Sequence, residues 1–374
     1  MYGITNASKA QSSKITEAQA SQIAQSYIIS LLASQPKVFN LSAPVAFLPY
    51  SVIWDDCTQS VYYTDILAIG NNLSVFRYDY AEGKSYATHI VGQESNSFGP
   101  SFILPVSSKC NKYKNLFAVG LNHSTGIIQW DGKSSSVNLL STLFAVELND
   151  PTSSFGTARQ GEKGTLYTGT FHLNYCNAPL NESIYRYTKK KGVEQLVFGS
   201  QSTSGIAYDK NSKTLYHVDL CQKQIVGFPL NSNGYIKGKG SIVYNFYDSN
   251  STSSVIPIGL EIDSKGFLYT GNYADGTILR IDPKTSSVAT IAQLPSFASI
   301  GGLAFGGPKR DILFAVAGSI ALNLDSGAIS ELPPSQTSLY AITNVGKGRK
   351  MSSGSVLMAL SVSGHFENQC VTKG

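Results

Sequence analysis

Charge is scarce in this chain: Asp, Glu, Lys and Arg together supply only 14% of its 374 residues. Gly, Ser, Thr, Asn and Tyr are plentiful instead, which argues against a helical bundle and for many short strands joined by polar turns. The fold class expected is all-β. The formal net charge of +5 is thinly spread, and the one dense basic run is Lys189-Lys190-Lys191. Such a run reads as the tip of a solvated hairpin sooner than as a phosphate-binding patch, so no nucleic-acid partner is expected. No apolar run approaches the roughly 18 to 20 residues of a membrane-spanning helix, so no membrane span is expected either. A hydrophobic share of 42% is ordinary for a globular protein, and the length allows one large core or two smaller domains.

Several chemistries are missing. The sequence has no Gly-x-Ser-x-Gly elbow, no phosphate loop and no His-Glu-x-x-His, and its five histidines (His89, His123, His172, His217, His365) are scattered one per segment. His172 and His217 lie within or just after strand-like repeats and could face a channel, although a structural histidine with its hydrogen bonds satisfied is the plainer reading. Five cysteines (Cys57, Cys110, Cys176, Cys221, Cys370) include no Cys-x-x-Cys pair, against a zinc ribbon or a thioredoxin-type site. In an oxidising compartment two bridges and one leftover thiol are expected. Pairs such as Cys57 with Cys110 or Cys176 with Cys221 would staple neighbouring parts of the fold, but spacing leaves the pairing open.

Six Asn-x-Ser/Thr sequons occur, at Asn6, Asn40, Asn72, Asn122, Asn181 and Asn250, each in a segment that reads as loop or terminus. With the cysteines and the low Lys and Glu content they favour a secreted, extracellular glycoprotein. No charged segment followed by an apolar one opens the sequence, so a signal peptide would already have been removed.

Repeats organise the rest. A strand of the form apolar-aromatic-small-small returns as SVYYTD (60–65), NLFAVG (115–120), TLYTGT (165–170), TLYHVD (214–219), FLYTGN (267–272) and ILFAVA (312–317). Aligned on Tyr62, Phe117, Tyr167, Tyr216, Tyr269 and Phe314, the gaps are 55, 50, 49, 53 and 45 residues, the size of a four-stranded propeller blade. A second strand follows each: SVFRYD (74–79), GIIQWD (126–131), SIYRYT (183–188), QIVGFP (224–229), TILRID (277–282) and SIALNL (319–324). The expectation is a six-bladed β-propeller whose repeated aromatics pack blade against blade. Thr16-Glu17-Ala18-Gln19 has capping-box form, and Ile23, Tyr27, Ile28 and Leu31 recur at helical spacing, so one amphipathic helix is expected up to Ser34. Strand-like SLYAITNVG (338–346) and SVLMALS (355–361) could close the ring. The domain plan is an N-terminal extension over 1–40, a propeller over 41–362 and a tail over 363–374.

The stretches SVIWDDCTQSVYYTDI (51–66), GTLYTGTF (164–171), SGIAYDKNSKTLYHVD (204–219), IPIGLEIDSKGFLYTGNYADGTILRIDPKT (256–285), IGGLAFGG (300–307) and SLYAITNVGKG (338–348) resemble the regucalcin, or senescence marker protein, family. That family also includes gluconolactonases and the luciferin-regenerating enzyme. The resemblance covers roughly residues 45 to 348, and it implies a propeller that opens a lactone ring or binds calcium. A divalent cation at the top of the central channel would polarise the lactone carbonyl and activate water, and it needs hard oxygen ligands. The family takes these from a Glu in Glu-x-Pro-x-Trp, an Asn in Asn-Gly and an Asp in Pro-Asp-Gly. Here the corresponding positions, counted from Trp54, Gly205 and the Pro257–Gly259 turn, are Tyr50, Ser204 and Ile258. No anionic ligand of the triad remains, so no cofactor and no metal site are expected. The family's substrate loop Arg-x-Asn-Asp-Gly is kept in part as Glu147-Leu148-Asn149-Asp150-Pro151, with Glu147 in the place of the Arg.

An aliphatic group, a phenol and a hydroxyl at a channel mouth suit an apolar or aromatic ligand better than a cation. The leading expectation is therefore a propeller that has lost the family's metal-dependent hydrolase activity and binds instead, with Tyr50, Asn149, Asp150, Ser204 and Ile258 lining its site for a small molecule or a protein partner. The alternative is a lactone or ester hydrolase whose metal is held by shifted residues such as Asp150 or Glu261. A structural extracellular propeller of the yellow and royal-jelly type is the third.

Overall fold

The computed structural model describes residues 35–68, 72–92, 98–106, 115–146, 153–172, 176, 182–200, 202–247, 255–295, 299–322, 329–332, 338–349 and 370–371. Apart from a short 3-10 turn at Glu162–Gly164, every regular element among them is a β-strand. Contacts divide the chain into Met1–Pro36 and Lys37–Gly374. The expected helix over 16–34 and the strand over 355–361 lie outside the described residues.

The strands form meanders of four. Pro49–Asp55, Ser60–Asp65, Val75–Asp79 and Lys84–Val91 run antiparallel, each beside the next. The first three are buried along their whole length, and only the fourth is substantially exposed. The same plan recurs in Ser153–Gln160, Leu166–His172, Glu182–Thr188 and Gly192–Ser200; in Thr203–Asp209, Thr214–Asp219, Gln224–Pro229 and Ser241–Asn245; and in Pro257–Ile262, Leu268–Asn272, Thr277–Ile281 and Val288–Gln293. Ile103–Pro105, Leu116–Leu121, Ser124–Gln129 and Ser136–Val146 form a further meander. Its outer strand pairs in parallel with Lys84–Val91, joining two meanders and Cys370–Val371 into one nine-stranded sheet.

The last sheet is closed from both ends of the described chain. Ser299–Gly306, Ile312–Gly318 and Leu339–Thr343 are joined by Lys37–Asn40, whose register runs Lys37 against Thr343 and Asn40 against Tyr340. Lys37–Asn40 is part of this sheet although it falls within the expected extension, and Asn40 ends an edge strand, not a loop. The sixth repeat also departs from expectation. Ile320–Leu322 leaves Ile312–Gly318 and pairs with Ile329–Glu331 in a separate two-stranded sheet. Leu339–Thr343 takes the place beside Ile312–Gly318 that this repeat was expected to fill, and Gly318, having no Cβ, leaves room for the Phe47 carbonyl oxygen, which a Cβ would meet at 2.4 Å. Ser319 then donates its N–H to Ala46 and Phe47, which turns the chain out of the ladder.

The first strands of the successive meanders touch one another in a closed order: Pro49–Asp55, Ile103–Pro105, Ser153–Gln160, Thr203–Asp209, Pro257–Ile262, Ser299–Gly306 and back to Pro49–Asp55. The fold is thus all-β and propeller-like. Aromatic pairs bind adjacent meanders: Tyr62 meets Phe117 at 4.8 Å between ring centroids, Phe144 stacks on Tyr187 at 4.9 Å and Trp54 on Phe314 at 5.7 Å. Each such pair adds about 0.5–1.5 kcal/mol beyond the area it buries. Strand-ending aspartates also have a local cause, because Asp79, Asp131, Asp209, Asp219 and Asp282 each accept a backbone N–H from two residues ahead and fix the turn.

Candidate functional site

Tyr50, Ser204 and Ile258 stand at the second positions of three first strands, at one end of the central channel. The sequence folds in a particular way there. In five of the first strands the register slips by a bulge just past the start, between Pro49 and Val52, Phe155 and Ala158, Thr203 and Gly205, Ile258 and Glu261, and Ile300 and Gly302. A bulge re-aims the side chains around it. Glycines permit the close approach this needs: Gly259 has a positive φ of 67°, and a Cβ on Gly205 would meet the Gly259 carbonyl carbon at 2.8 Å.

Tyr50 crosses the channel. Its hydroxyl donates to the carbonyl oxygen of Thr203 at 2.9 Å, and in the closed order of first strands that residue lies three places away in either direction. The Tyr50 ring packs on Phe171 at 5.6 Å between centroids, and both share an apolar cluster with Ile258 and Ile300. Ser204 is committed as well, its Oγ donating to the Pro257 carbonyl at 3.0 Å. All three candidate positions are buried, at 8%, 1% and 5% exposure for Tyr50, Ser204 and Ile258. The half-buried Leu67, Phe98 and Ile256 pack against the same cluster. Asn149 and Asp150 lie outside the described residues.

A buried polar layer surrounds these groups. His217 Nε2 sits 3.0 Å from Thr203 Oγ1. Burial pushes its imidazole pKa down from the ordinary value, with the nearby Asp219 opposing, so the ring is held neutral. Ser153 Oγ lies 2.8 Å from both carboxylate oxygens of Glu182, which is 1% exposed, and the Ser153 carbonyl is 2.9 Å from His123 Nε2. His172 is buried and faces Ser153 in register. Sequence reasoning missed Ser153 and Glu182 because each reads as an ordinary turn or strand-edge residue. Their pairing joins positions 29 residues apart and leaves no local signal.

Glu261, considered as a shifted metal ligand, belongs to the other end of the channel. It lies three residues beyond Ile258, about 10 Å along a strand, and pairs with Arg159 at 3.2 Å. Arg159 also donates to the carbonyls of Ile206 and Leu260. This end holds a cavity of about 120 Å³ where Arg310 pairs with Asp56 and Arg349 with Asp209. The ligand field there is therefore already neutralised by guanidinium groups. The bulge after Ile258 separates the two positions, and Glu261 lines the cavity at the other end instead of the mouth.

What the three candidate positions Tyr50, Ser204 and Ile258 offer a cation is thus one phenol and one hydroxyl, both already donating to carbonyls, and an aliphatic side chain. That donor set does not fit a divalent ion, which requires anionic or free oxygen ligands. Among the described residues, no group of three or more His, Cys, Asp or Glu side chains is placed to hold a metal.

Comparison with known proteins bears on the same segment. The model of the SMP-30/gluconolactonase/LRE-like region matches residues 48–319. Regucalcin of Xenopus laevis is 21% identical over 276 residues, covering 71% of this chain and 88% of its own length. Among solved structures, a luciferin-regenerating enzyme superposes with a TM-score of 0.72 at 19% identity, covering 86% of this chain and all of that one. A calcium-binding regucalcin from Agrobacterium tumefaciens gives 0.61 at 18% identity, over 82% and 93% of the two chains.

Proposed function

The chain belongs to the SMP-30/gluconolactonase/LRE-like family, and from that premise we propose that it is a binding propeller in which the metal-dependent site has become a closed, apolar channel mouth. The observation that carries this is the Tyr50 side chain, which spans the channel to Thr203 with Ile258 packed beside it. A carboxylate at either position would be packed among Phe171, Ile300 and other apolar side chains of the same cluster, where an ionised group is costly. The mouth takes a small apolar or aromatic ligand, received on a floor of Tyr50, Phe171 and Ile258 and a rim of Leu67, Phe98 and Ile256.

In this reading the nine-stranded sheet is two blades fused at their outer edges, and the propeller has six blades. The chain works outside the cell, as the Cys176–Cys221 disulfide, a second bridge at Cys57 and the exposed sequon residues Asn40 and Asn72 support. The test is paired. Hydrolysis of an aldonolactone should be absent with calcium, zinc or manganese and unchanged by a chelator. A fluorescent apolar dye should bind at one site per chain and be lost in Ile256→Asp. Metal-dependent turnover would overturn the reading.

A further inference from the structure

A second cavity, of about 440 Å³, opens beyond the 3-10 turn and is lined by residues of two adjacent meanders. Its charge is one-sided. Among the described residues, Lys163, Lys190, Lys191, Lys213 and Arg186 line it, with Glu162 the one acid in the lining and Glu194 behind it on Arg186 and Tyr235. Arg186 is partly spoken for: it is buried, pairs with Glu194 at 2.7 Å, donates to the Asn233 carbonyl and lies 4.3 Å from the Tyr235 ring centroid. Its Nε, however, is buried and has no acceptor in hydrogen-bond geometry among the described residues. The four lysines are exposed and carry no ion pair among the described residues.

The backbone gathers these lysines from separate elements. Lys163 and Lys213 both occupy positive-φ positions, at 53° and 51°, in turns on neighbouring meanders, and Lys190 and Lys191 come from the hairpin before Gly192–Ser200. Tyr167, Tyr208 and Tyr235 supply ring surface, and Asn231, Ser232 and Asn233 supply amide and hydroxyl groups. Four ammonium groups around a concave surface attract an anion of several charges, and the volume suits a sugar-sized body.

We propose that this cavity is a binding site for a small polyanion, a sugar-sized ring carrying two or more sulfate or phosphate groups, separate from the channel mouth. The lysine run that the sequence presents as a hairpin tip is one wall of it. Sulfate and phosphate share the chemistry, and the two probes tell them apart.

The experiment is calorimetric titration of the full chain with sucrose octasulfate, with inositol hexakisphosphate and with neutral sucrose. At least one of the two polyanions should bind with one site per chain, the tighter one naming the group, and sucrose should not. Affinity should fall at least tenfold between ~20 and ~200 mM sodium chloride. Lys190→Ala/Lys191→Ala/Lys213→Ala should weaken binding at least tenfold, while Lys84→Ala/Lys265→Ala/Lys284→Ala, which removes equal charge from exposed positions outside the cavity, should leave it within twofold. No binding of either polyanion, or equal weakening by both triple variants, would overturn the proposal. Thermal unfolding of each variant, expected to match the parent, separates a lost site from a lost fold.

Discussion

Replacing Tyr50 by Phe removes one oxygen and keeps the ring on Phe171. The hydroxyl donates to Thr203 across the channel, and Thr203 is fully buried, so water cannot take the donor's place. The loss is the net hydrogen bond, about 1 kcal/mol, plus the cost of an unpartnered buried carbonyl, for a total of about 1–3 kcal/mol. For a domain of this size that corresponds to a melting temperature lower by ~1–4 °C. Tyr50→Ala also removes a buried aromatic ring and should cost about 3–5 kcal/mol. Urea unfolding with disulfides intact measures both. If Tyr50→Phe matched the parent within about 0.3 kcal/mol, below what a buried bond is worth, the hydroxyl would not be sealing the channel and the closed-mouth argument would fail.

His217 is held neutral by burial, so its folded pKa lies below the unfolded 6.5 and the unfolded chain binds the extra proton. Its contribution to stability is complete above about pH 6.5 and falls as pH drops, by up to about 1.4 kcal/mol per unit; the difference in urea stability between parent and His217→Gln, followed from pH 8 to pH 5, should show that slope. Cys176→Ala/Cys221→Ala opens a crosslink between residues 45 apart and should cost about 2–4 kcal/mol in the same assay. Tyr50→Glu/Ser204→Asn/Ile258→Asp restores the family's donor types; calcium should raise its melting temperature, by an amount equivalent to about 2.7 kcal/mol at a hundredfold excess over Kd, and leave the parent unmoved. In protein from a glycosylating host, enzymatic deglycosylation should release mass from peptides carrying Asn40 and Asn72, and unmodified peptides there would remove the support for secretion.

The second strand of each meander was legible because its aromatic and β-branched residues repeat. Ser60–Asp65 and Thr214–Asp219 fall on the residues that the repeat marks. The first strands were harder to read: Pro49–Asp55 and Ser299–Gly306 are buried on both faces, so no alternation of apolar and polar residues advertises them. SIALNL carries a strand pattern, yet Ile320–Leu322 leaves the sheet because Leu339–Thr343 takes the place beside Ile312–Gly318, a pairing that no local pattern announces. Counting from Trp54, Gly205 and the Pro257–Gly259 turn picks out Tyr50, Ser204 and Ile258, which stand at matching second positions of three first strands. What they do there was not legible, since the Tyr50 to Thr203 bond joins positions 153 residues apart. The basic cavity escaped for the same reason: Lys163, Lys190, Lys191 and Lys213 are neighbours only once two meanders stand side by side.

The central claim is that the mouth no longer holds a divalent cation, and metal content tests it most directly. Protein equilibrated with calcium, zinc and manganese, freed of unbound ions and analysed by elemental mass spectrometry should carry far less than one metal per chain. One tightly held metal per chain, lost together with lactone turnover on chelation, would contradict the account and make Ile258 a neighbour of a working site.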